Sequence, residues 1–139
     1  MPSKFEYNAP IEYPAVSAIS SFDTAYGSVV FGGDTTITPN TVTLARGADV
    51  LVHEAIDLRI VAASGLSAEQ LQHHRSAHSD VTRIGGEVAA PAGVGTLVLT
   101  HLAPGNTQIP DASWQAQASI GFGGKVVVGT DLMRIPLPH

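Results

Sequence analysis

Short apolar runs recur along the chain, each closed by glycine or a polar group. "AVSAISSF", "SVVFGG", "DVLVHEA", "GTLVLTH" and "KVVVGTDLMRI" have the length and character of strands with at least one buried face. Between the first two stands "DTAYG", where Asp23 and Gly27 flank a turn, so a hairpin is expected. The segments between the later runs carry helix signals. "TPNTVTLARGA" offers Thr38 as N-cap, Pro39 at the first helical position and Gly47 as a stop. A short helix is expected over Ser67–His74, inside an otherwise mixed stretch from 56 to 76. "SDVTRIGGEVAAPAG" predicts a helix capped by Ser79 or Asp80, weakened by Gly85 and Gly86, since glycine costs about 1 kcal/mol relative to alanine inside a helix. "PDASWQAQASIGFGG" predicts another from near Asp111 to Gly123-Gly124. Residues 1–13 are polar and proline-containing and read as an irregular lead-in to one unit over 14–139. Alternating strands and helices after an opening hairpin indicate an α/β layered fold.

Composition narrows the picture. A chain of 139 residues, 44% hydrophobic and 14% charged, suits one compact domain rather than a disordered one. The net charge is −5, and the seven Lys and Arg do not cluster in the sequence, so no electrostatic footprint for nucleic acid is visible. There is no cysteine, which excludes disulfides and thiolate metal sites. "MPSKFEYNAP" lacks the apolar core of a signal peptide, and no run reaches the length of a membrane span. A cytoplasmic protein with no membrane partner is the expectation.

Polar groups at the ends of apolar strands are the informative chemistry, because sites in α/β sheets gather at the carboxyl ends of strands. Asp34 follows "VVFGG", His53 and Glu54 follow "VLV", His101 follows "TLVLT", and Asp131 follows "KVVVGT". His78 lies in the loop before a helix. Imidazoles and carboxylates at neighbouring strand ends can form a zinc or manganese site. Each residue also has a structural reading. Asp34 and Asp131 suit turns, a strand-end histidine is commonly a satisfied structural group, and His73 and His74 suit the solvent face of a helix. H-E-x-x-H is absent, and so are the G-x-G-x-x-G and G-x-x-x-x-G-K-[ST] loops that a nucleotide-binding reading of "VVFGGDT" requires.

Taken in order, "FDTAYGSVVFGGDT", "LARGADVLVHEAID", "AHSDVTRIGGEVAAPAGVGTLVLTHLAPGN" and the closing "GGKVVVGTDLMRI" resemble the C-terminal half of the metallo-β-lactamase-fold hydrolases, in the ribonuclease Z and arylsulfatase-like branch. The resemblance covers roughly residues 14 to 137. It implies half of an αββα sandwich, a mixed sheet with helices on one face. It implies Asp34 as the carboxylate bridging two metal ions and His101 as a terminal metal ligand. His78 would contact the scissile group as a general acid, with Glu54 as the partner that orients it, while His53 has no clear role. The cofactor implied is a divalent metal, zinc first, with two ions in a complete site. The H-x-H-x-D-H motif of such enzymes and a further histidine ligand are absent, so the chain supplies two of the expected ligands. A hydrolase acting on a phosphodiester, sulfate or similar ester is expected, with a small-molecule ester favoured over nucleic acid by the acidic charge. The alternative is a non-catalytic half-domain with vestigial site residues. Either way the open half implies a second copy or a complementary N-terminal half as partner.

Overall fold

The protein is described from a computed structural model, over residues 19–105 and 108–138. The lead-in and the start of the first expected strand lie outside the described residues.

Five strands form one mixed sheet in sequence order. The strands β1 (Ser20–Thr24) and β2 (Gly27–Phe31) make the expected hairpin around Ala25 and Tyr26. The strands β3 (Val50–Ile56), β4 (Thr96–Ala103) and β5 (Lys125–Val128) then add in parallel, each reached through helix. The helix α1 (Pro39–Ala45) starts as its sequence dictates. Thr38 accepts from the amides of Asn40 and Thr41, Pro39 opens the helix, and Gly47 takes φ +71° after it.

The connection from β3 to β4 departs from expectation. The stretch read as mixed contains α2 (Leu58–Ala63), capped by Asp57, before α3 (Ala68–Ala77), capped by Ser67. The helix expected over residues 79–93 forms as α4 (Val81–Ile84), a π-helical turn over Gly85–Ala89, and α5 (Ala90–Ala92). A Cβ at Gly85 would run into the Ala118 carbonyl of α6 (Asp111–Ala118). Gly85, which counts against a helix, is therefore what lets two helical segments touch. The final run also differs, since only Lys125–Val128 pairs as strand.

The core lies between the helices and one face of the sheet, with Leu51, Ile84, Val88, Leu97, Leu99 and Trp114 buried. Strand alternation sends Val50, Val52 and Val98 to the other face. There they line a groove of about 600 Å³ with Phe31 and with Met133, Ile135 and Leu137 of the chain's last described segment. Helices thus cover one face, and the second is an apolar groove with Phe31 still 44% exposed.

Candidate active site

Asp34, Glu54, His78 and His101 meet at the carboxyl ends of β2, β3 and β4. Two irregularities in the backbone bring them there. After β2, Gly32 packs so closely that a Cβ would stand 3.1 Å from Cδ2 of His53, and Gly33 takes φ +65°, which turns the chain out at Asp34. In β4 the register with β3 shifts: Glu54 pairs with Thr100 and Ala55 with Leu102, which leaves His101 as the extra residue of a bulge. His101 has φ +44°, uncommon outside glycine. Bulges re-aim side chains, and here the histidine Nε2 comes to 3.5 Å from Oδ2 of Asp34. Both side chains are more than half exposed.

Behind this pair Glu54 is completely buried. Its carboxylate accepts the Thr35 amide at 2.9 Å and the Ser79 amide at 3.4 Å. It also faces Nδ1 of His78 at 3.0 and 3.2 Å. The Ser79 hydroxyl in turn donates to the Thr35 carbonyl at 2.5 Å, tying the loop after β2 to the loop before α4. Burial pushes the Glu54 carboxyl up to about 7 against the two amides, with Asp34 adding to the rise and His101 opposing it. The bond to His78 needs one proton between the two groups. With Nδ1 so engaged, Nε2 is the His78 nitrogen left for a substrate. The ring of His78 is stacked between those of His101 and His74, at centroid separations of 6.1 and 5.9 Å.

His74, expected at the solvent face of its helix, is instead half-buried against His78, with Nδ1 enclosed and without a partner among the described residues. His53 is fully buried beside the site. Its Nδ1 is 2.8 Å from the Glu54 carbonyl, an acceptor, so that nitrogen carries the proton and Nε2 is a lone pair without a partner among the described residues. Burial lowers its basicity, opposed by that hydrogen bond. Asp131 sits in an exposed turn on the edge of the sheet groove. Asp57, unremarked in the sequence, is a buried hub. It accepts from the backbone and side chain of Arg59 and from Nε2 of Gln117 in α6. Burial pushes its carboxyl up, but the hydrogen bonds from Arg59, Gln117 and the Ile60 amide outweigh it and hold it low. Thr35 carries no signal in the sequence, and Ser79 reads there only as a candidate helix cap, a place that Asp80 takes.

The fit of a metal can be judged from the donors. A nitrogen and an oxygen bound to one tetrahedral zinc at about 2.0–2.1 Å lie about 3.3–3.4 Å apart. The 3.5 Å between His101 and Asp34 is close to that edge and long for a hydrogen bond. The pair therefore fits one side of a metal site. Among the described residues no group of three or more His, Asp or Glu converges to complete it.

No protein-family profile matches the chain. Over 129 residues, 91% of the chain, it is 38% identical to ribonuclease Z of Mycobacterium avium, covering 45% of that protein. Identity to ribonuclease Z of Mycobacterium marinum is 34%, and to that of Mycobacterium tuberculosis H37Rv 35%, with coverage of 45% and 46% of each. The chain thus spans about half the length of these relatives. Among solved structures, the metallo-β-lactamase fold protein YhfI of Bacillus subtilis superposes with a TM-score of 0.54 at 19% identity, over 80% of this chain and 46% of that one.

Proposed function

We propose that this chain, a relative of the ribonuclease Z proteins with the fold of the metallo-β-lactamase proteins, supplies one side of a metal-dependent phosphodiesterase site. The observation that carries the reading is the approach of Asp34 and His101 beside the buried His78–Glu54 pair. Asp34 and His101 would hold a divalent metal, zinc first, and further ligands would come from other polypeptide, a complementary half or a second chain. A metal held there would lower the pKa of water and so supply a nucleophile near neutral pH.

The chain's own residues supply the rest. His78 stands beside the metal pair, its Nδ1 fixed by Glu54, so its Nε2 can give a proton to the leaving oxygen. The buried Glu54 carboxyl, bonded to Nδ1, keeps the ring from turning. Thr35 and Ser79 hold Glu54 in place through their amides. The relatives' name indicates RNA as the substrate class, and it lends no support to the small ester or sulfate expected from the acidic charge.

Metal content and hydrolysis of an RNA oligomer and of bis-(4-nitrophenyl) phosphate, measured for the chain with its complementary half, test this. Asp34→Ala and His101→Ala should each lose metal and turnover. His78→Ala should keep metal and lose at least a hundredfold in rate, in line with the roughly 10²–10⁴ supplied by general acids. Unchanged turnover in all three would sink the reading. The two-ligand set also suits a non-catalytic half-domain. Absence of turnover in the complemented wild type would favour that alternative.

A further inference from the structure

We propose that the cleft between α2, α3 and α4 holds the phosphodiester backbone of an RNA strand beside the scissile bond. This rests on the phosphodiesterase reading above and names where its substrate lies. The cleft has a volume of about 460 Å³ and is lined by Arg59, Arg75, Arg83, Thr36, Asp80 and His78 among others. Three of the chain's seven Lys and Arg thus face one cavity, although they are dispersed between positions 59 and 83 of the sequence. The net charge of −5 conceals this local concentration, which only the packing of three helices creates.

The three guanidinium groups are prepared differently. Arg59 is held by the buried Asp57 through Nε at 3.3 Å and Nη2 at 3.1 Å, and three of its five N–H donors stay uncommitted. Arg83 is similarly held by Glu87 on the next turn. Arg75 is exposed and has no hydrogen bond or ion pair among the described residues. Planar, prefixed forks of this kind match phosphate oxygens. Asp57 and Glu87 each offset one of these charges and Asp80 opposes the third, so the cleft gathers guanidinium donors rather than net positive charge; Asp80 Oδ1 is itself engaged by the amide and hydroxyl of Thr82 as the cap of α4.

His78 decides the class of ligand. It lines this cleft and also contacts Glu54 and His101. An anion seated among the arginines and an ester reacting beside His78 are neighbours across one ring, so a single ligand filling both carries at least two phosphates in series. That describes a polynucleotide backbone rather than a small monoester.

Binding of a single-stranded uridine hexanucleotide to the metal-free protein, followed by fluorescence anisotropy over a salt series, tests the proposal, with inorganic phosphate as competitor. The wild type should bind with a salt slope near −2, since each phosphate contact on a single strand contributes about −0.7. Arg75→Ala, which removes no side-chain hydrogen bond or ion pair among the described residues, should weaken binding roughly tenfold, the loss of one charge-assisted hydrogen bond, and flatten the slope by about 0.7. Asp80→Asn keeps the capping oxygen and should tighten binding several-fold. No binding by the wild type, equal binding by Arg75→Ala, or equal competition by inorganic phosphate would overturn the proposal. A zinc titration of the same proteins keeps the two readings apart. Arg75→Ala should retain zinc, whereas His101→Ala should lose zinc and keep the oligonucleotide.

Discussion

Asp34 illustrates how little a residue reveals alone. An aspartate after two glycines is ordinary turn chemistry. It gains meaning from His101, brought within 3.5 Å by a bulge that no residue type announces. Histidine has no special preference for the extra position of a bulge, so the order of motifs pointed to the pair while its geometry stayed hidden. Glu54 was marked as a partner of His78, and the two are hydrogen-bonded. The groups that hold Glu54, the amides of Thr35 and Ser79, could not be read from the chain, because a backbone donor has no sequence signature.

Glu54 also carries a pH dependence whose sign is fixed by its burial. Its carboxyl titrates near 7 in the folded protein against an ordinary 4.5. The folded state therefore binds the proton more tightly, and the group's stabilising contribution is complete below 4.5 and lost as pH rises through 7. His53 works oppositely. Its lowered basicity means that its contribution is present above 6.5 and lost on acidification. Glu54→Gln, which mimics the protonated carboxyl, isolates the first effect. In metal-free buffer the variant should gain stability relative to wild type between pH 5 and pH 8, on the order of 2–3 kcal/mol, from about 1.4 kcal/mol for each pH unit over which only the folded state holds the proton. Urea midpoints at the two pH values read this directly, and a constant difference would contradict it.

Among the elements, the strands were the most legible, because their apolar runs end abruptly in glycine or a polar residue. The helix α1 was legible from both ends, since Thr38, Pro39 and Gly47 each act locally. The segment from Gly85 to Ala92 was legible as helix, but its π-helical turn was not. Its conformation is set by contact with α6, where the Ala118 carbonyl occupies the place of a Gly85 side chain. Propensity counted the glycine as a cost, while packing made it a requirement. Gly85→Ala should accordingly destabilise the protein by at least about 2–3 kcal/mol, as overpacking does in a filled interior. Gly47→Ala, with nothing within 4 Å of the new Cβ, bears only the strain of its positive φ and should cost less. Thermal unfolding of the two variants compares them, and equal losses would show that crowding at Gly85 is relieved by movement.

At the scale of the whole molecule, the sheet carries helices on one side and an apolar groove on the other, and Asp34 and His101 meet at its edge. Both features agree with a chain spanning about half the length of its ribonuclease Z relatives. No helix among the described residues is long and apolar enough to cross a membrane. The central claim is that Asp34 and His101 together form one side of a metal site. A histidine-selective ¹H–¹⁵N spectrum, recorded during zinc titration of wild type and Asp34→Ala, tests it most directly, because it separates His101 from surface histidines that bind zinc adventitiously. Nε2 of His101 should shift in the wild type, while buried His53 stays unmoved, and the shift should vanish in Asp34→Ala. A His101 signal that ignores zinc, or one that responds equally without Asp34, would contradict the account.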